Sequence, residues 1–124
     1  MTNKKPNRRA RFRLRVFDRI RIDAMAQQAA VTRTEFIIKL LTWLVHNLQT
    51  GRVNAPTRQL LTREYFGRTT VPEHQSTHLI DCRLPIIILD YLKFNGYKLT
   101  TCLLYALDHG EEAIQGRREN AREA

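Results

Sequence analysis

Apolar and polar residues alternate strictly from Arg11 to Val16, reading Arg-Phe-Arg-Leu-Arg-Val. A period of two is that of a β-strand, whose successive side chains point to opposite faces. Phe12, Leu14 and Val16 therefore share one face, and Arg11, Arg13 and Arg15 share the other. At about 3.3 Å per residue the strand is roughly 20 Å long, with its three guanidinium groups about 7 Å apart. A lone strand does not persist in water. Paired antiparallel, with its apolar face covered, it becomes a two-stranded ribbon bristling with arginine, a shape that the major groove of B-DNA admits.

The period then changes. Asp18 is placed to cap a helix whose apolar positions, Ile20, Ile22, Ala24, Met25, Ala26, Ala29 and Ala30, make a narrow, alanine-rich face ending near Val31. Thr32-Arg33-Thr34-Glu35 follows as a capping box, with Thr32 as N-cap, Glu35 three residues on, and Val31 and Phe36 as the hydrophobic staple. The helix it opens carries Phe36, Ile37, Leu40, Leu41, Leu44, Val45 and Leu48 at helical spacing, a stripe wide enough to meet more than one neighbour. Trp43 lies off that stripe, at its edge.

Strand, helix and capped helix in under forty residues resemble the ribbon-helix-helix family of the Arc and MetJ repressors, over residues 11 to 48. Thr-Arg-Thr-Glu-Phe-Ile is similar to that family's opening of the second helix. The resemblance implies a paired ribbon over a four-helix core, and physics agrees, since about forty residues seldom fold alone without a partner, metal or disulfide.

The order returns after Ser76: Leu79 to Pro85, then Ile86 to Phe94, the turn Asn95-Gly96, and Leu99 to Leu107 up to Gly110. Aligning Arg83-Leu84 with Arg15-Val16 puts Ile80, Cys82 and Leu84 inward and Leu79, Asp81 and Arg83 outward, with Pro85 in the first turn of a helix. In that alignment Arg13 and Asp81 meet near a pseudo-twofold axis. Lys98 stands where Thr32 caps the first copy. The predicted fold is therefore mostly α with a short antiparallel two-stranded ribbon: tandem ribbon-helix-helix repeats forming an intramolecular pseudo-dimer. The tandem arrangement resembles the TraY-type accessory proteins of plasmid conjugation. Its segments are a basic flexible arm over 1–10, a first copy over 11–48, a linker over 49–76 with Thr57 to Phe66 as a short helix, a second copy over 77–110 and a charged tail over 111–124. A flexible linker of about 28 residues spans roughly 30 Å, enough to set one strand beside the other.

Charge separates the two ends. Of the 124 residues, 21 are Lys or Arg and 12 Asp or Glu, a net charge of +9. Residues 1 to 21 hold Lys4, Lys5, Arg8, Arg9, Arg11, Arg13, Arg15, Arg19 and Arg21 against Asp18 alone, whereas residues 76 to 124 are close to neutral. So dense a positive cluster fits a polyanion, nucleic acid before anionic lipid. No apolar run is long enough to span a bilayer and no signal-peptide core follows the basic start, so no membrane association and a cytoplasmic location are expected; the resemblance implies that the cytoplasm is prokaryotic.

Cys82 and Cys102 sit inside apolar patterns and read as buried, reduced thiols. His46, His74, His78 and His109 form no paired motif with an acid, and neither a glycine-rich phosphate loop nor a nucleophile elbow occurs. His74, His78 and Cys82 fall at four-residue steps, but strand and turn signals there oppose a closed metal site. No enzyme, cofactor or metal is expected.

Sequence-specific binding of double-stranded DNA is the leading expectation. Arg11, Arg13, Arg15, Arg83, Asp81 and Leu79 face the bases, and Thr32, Arg33, Thr34, Lys98, Thr100, Lys4, Lys5, Arg8 and Arg9 meet phosphates. The resemblance implies a transcriptional regulator or a relaxosome accessory factor, with self-association on adjacent DNA sites. Two alternatives stand beside it. One is an antitoxin-like or adaptor chain whose second copy and tail bind a protein partner such as a relaxase or a toxin; the other is an arginine row that only keeps a strand soluble. RNA binding lacks exposed stacking aromatics at strand spacing.

Overall fold

The computed structural model describes residues 7–64 and 77–110. Among these, two strands and five helices follow in the order β1 (Asn7–Arg15), α1 (Val16–Gln28), α2 (Arg33–Gln49), α3 (Ala55–Leu61), β2 (Thr77–Pro85), α4 (Ile86–Phe94) and α5 (Leu99–Asp108). The fold is mostly helical, with one antiparallel sheet made of β1 and β2. None of the described helices is long and apolar enough to cross a membrane.

The sheet hides one face. Ala10, Phe12 and Leu14 from β1 and Ile80, Cys82 and Leu84 from β2 are buried over the helices. That layer is built on α2, whose Phe36, Ile37, Leu40, Leu41, Leu44 and Leu48 are all buried and which packs on α1, α4, α5 and β2. Each of the large side chains so enclosed, Phe12, Leu14, Ile80 and Leu84, contributes about 1.5 to 3 kcal/mol, so the ribbon is held from beneath as well as by its own ladder.

β1 starts at Asn7, four residues before the alternation that begins at Arg11. Ala10, small but buried, continues the inward face, so Arg8 and Arg9 belong to the ribbon and not to an arm. Val16 leaves the strand and opens α1. The register also differs from the expected one: Arg11 lies opposite Asp81, and Arg13 opposite Leu79. The strands correspond at their junctions with the following helices, Arg15 before Val16 and Pro85 before Ile86, which shifts the pairing by two residues. A shift of two keeps every side chain on its face. From Arg11 to Ile22 and from Asp81 to Leu92, buried, half-buried and exposed positions follow in the same order.

The helix ends show which local signals hold. Asp18 is not the N-cap of α1; Arg15 is, without a side-chain cap bond, and Asp18 is buried one turn inside. Ile20 is 59% exposed because Ile22 and Ala26 turn the opposite face of α1 inward. Ala30 ends α1 with a φ of 57°, while Val31 N–H donates to Ala26 O at 3.1 Å. Gly96 does the same after α4, at 79°, with Tyr97 N–H donating to Leu92 O at 2.9 Å. This is the left-handed closure that glycine adopts without cost and alanine with strain. Pro85 ends β2 and is the N-cap of α4 rather than part of its first turn. The linker helix is Ala55–Leu61, started by the Asn54 carboxamide oxygen accepting from Thr57 N–H and by Pro56, and it ends short of Phe66, which lies outside the described residues.

Candidate nucleic-acid interface

The solvent face of the ribbon consists of cross-strand rows. Arg9 is opposite Arg83, Arg11 opposite Asp81 and Arg13 opposite Leu79, and all six side chains are exposed. In the middle row Arg11 Nε–H donates to Asp81 Oδ1 at 2.9 Å. That bond holds the Asp81 carboxyl below its ordinary range and pushes the guanidinium higher, with the nearby Arg9 adding to the effect on Asp81. Asp81 thus holds Arg11 through Nε while the Arg11 side chain stays 60% exposed. Arg9, Arg13 and Arg83 have no ion pair among the described residues.

The structure brings together Arg11, Arg13, Asp81, Arg83 and Leu79 as the alternation predicts, and adds Arg9. The signal for Arg9 was Ala10, which is apolar enough to carry the inward period two residues further. Arg15, at the ribbon's end, is half-buried, with its Nε 3.7 Å from Asp18 Oδ2. Arg8 faces the other way and pairs with Asp90 of α4 at 3.6 Å. Lys4 and Lys5 lie outside the described residues.

The two flanking helix starts are not alike. At α2 the capping box is complete: Glu35 N–H donates to Thr32 Oγ1 at 3.1 Å, and Thr32 N–H donates to Glu35 Oε1 at 3.0 Å. These bonds hold the Glu35 carboxyl below its usual range. Arg33, expected on phosphate, grips Asp23 with Nε at 2.7 Å and Nη2 at 3.1 Å, while Thr34 is half-buried beside it. α2 packs on β2, and the charge of Arg33 reaches Cys82 there. At α5, Lys98 is the N-cap as expected but makes no side-chain cap bond. Its N–H donates to Leu61 O at 2.8 Å instead, and the buried Thr101 hydroxyl donates to Arg63 O. Linker carbonyls stand where α2 uses its own glutamate; Thr100 is half-buried next to them.

Both cysteines are free and buried. Among the described residues no group of three or more His, Cys, Asp or Glu could hold a metal; His74 lies outside them. No protein family, curated protein or solved structure compared with the chain matches it.

Proposed function

We propose that the chain binds double-stranded DNA in a sequence-dependent way, laying the β1–β2 ribbon in the major groove as one intramolecular pseudo-dimer. The observation that carries this reading is a two-stranded sheet sealed beneath by Phe12, Leu14, Ile80 and Leu84 that presents Arg9, Arg11, Arg13 and Arg83 to solvent against a single acid, Asp81. A β-ribbon fits the major groove, and arginine there takes guanine O6 and N7 in bidentate fashion. The recurrence of the same burial order seventy residues on supports two copies of one unit. Backbone N–H groups at the start of α2 would hold a phosphate, and the helix dipole favours the anion. Regulation of transcription, or service in a DNA-transfer complex, is the role this chemistry suits, with no catalytic step.

The test is Arg13→Ala. Its side chain is exposed and has no ion pair among the described residues, so the melting temperature should hold while affinity for a selected duplex falls about five- to a hundredfold, toward that for random DNA. Unchanged selectivity would overturn the base-reading role. A second reading, an adaptor that docks a protein, rests on α4, where Ile87 is 79% and Phe94 90% exposed beside Tyr91. On that reading Phe94→Lys would abolish partner capture and leave DNA affinity intact.

A further inference from the structure

If the ribbon reads DNA as proposed above, its register decides what kind of sequence it reads. A half-turn about the Arg11–Asp81 row exchanges each β1 residue with the β2 residue seventy positions on. Arg13 and Arg83 are then equivalents, and each half of the ribbon presents one of them. Arg9 and Leu79 are equivalents too, yet one is a cation and the other an apolar side chain 52% exposed on an otherwise charged face. Two identical chains would match at every such position and read a palindrome. This ribbon does not match at its ends, nor at its central row, where Arg11 exchanges with Asp81.

The chemistry of each position is limited. An exposed guanidinium facing the major groove finds paired acceptors on guanine, and an exposed isobutyl group finds its apolar counterpart in the C5-methyl of thymine. We propose that the chain recognises a non-palindromic duplex, in which both half-sites carry a guanine for Arg13 or Arg83, one half-site adds a second guanine under Arg9, and the other adds a thymine under Leu79. The asymmetry continues below the ribbon, where α2 is capped by its own Glu35 and α5 by linker carbonyls.

Selection of duplexes from a random pool with the full chain, at one fixed salt concentration because affinity is salt-dependent, tests this. The recovered motif should have halves that share a guanine and differ at the neighbouring position. Leu79→Ala should weaken the thymine preference about fourfold, the worth of roughly one buried methyl, and Arg9→Ala should relax the second guanine about fivefold or more. Leu79→Arg gives the sharpest outcome, since it makes the ends equivalent and should make the outer positions of the two half-sites match, with the Arg11–Asp81 row left as the remaining mismatch. Leu79 is exposed, so an unchanged unfolding midpoint will show that these variants fold. A palindromic motif from the unaltered chain, or a thymine retained by Leu79→Arg, overturns the inference and leaves DNA reading intact. No enrichment of any sequence overturns the DNA reading itself, and this inference with it.

Discussion

Cys82 and Cys102 show how a buried residue type is legible while its neighbourhood is not. Their apolar settings mark them as inward thiols, and both are free and buried. What the pattern does not carry is that Arg33, far away in the chain, lies close enough to oppose the effect of burial on Cys82. Burial still wins, raising Cys82 to about 11 and Cys102 to about 12. The thiolate is the nucleophile, so neither should react with an alkylating reagent at neutral pH until the chain unfolds; mass spectrometry of the native protein checks this, and rapid labelling of both would contradict the packing. Linkage gives the sign for stability. A folded thiol that keeps its proton above the ordinary value of 9.0 stabilises the fold fully below that value, and the contribution disappears as pH rises through 11 to 12. Cys102→Val should therefore lose less stability than the native chain over that alkaline window, measured by denaturant unfolding.

Among elements, the starts of α2 and α5 separate what sequence reading reaches from what it misses. Thr32 and Glu35 are three residues apart and complete each other, so the capping box is visible in a window of four and forms as expected. The cap of α5 comes from Leu61 and Arg63, nearly forty residues earlier, and no local window contains it. Arg58 locks that linker helix in place, its Nε–H donating to Val53 O at 2.9 Å and its Nη2–H to Leu48 O at the end of α2. A segment that reads as a tether is thus part of the fold at its first half. Thr32→Ala should cost about 1 kcal/mol, the usual loss of an N-cap. Thr101→Val keeps the shape but removes the donor to the Arg63 carbonyl, and the loss of one such part-buried bond costs about 0.5 to 1.5 kcal/mol. The two variants should therefore destabilise comparably in urea unfolding. A neutral Thr101→Val would show that the Thr101–Arg63 bond does not help hold the linker to α5.

At the scale of the whole molecule, parity was readable and register was not. Alternation assigns each side chain to a face, and a slip of two residues, from Arg13 to Arg11 opposite Asp81, leaves that assignment untouched. Only the strand-to-helix junctions fix the register, and similarity between Arg15-Val16 and Arg83-Leu84 misplaces them. The consequence that matters most is closure within one chain. β1 takes β2 as its partner, and a tether of such length holds them at an effective concentration of about millimolar, so at micromolar protein the paired ribbon should need no second copy. Sedimentation should then report 14.6 kDa in the absence of DNA. The exposed stripe of Ile87, Tyr91 and Phe94 offers a different route to association, one that leaves the ribbons intact. Phe94→Lys separates the two, because it removes contact through α4 but not exchange of strands between chains. A doubled mass that persists in Phe94→Lys would mean that the ribbon closes between chains, and the pseudo-dimer would have to be abandoned.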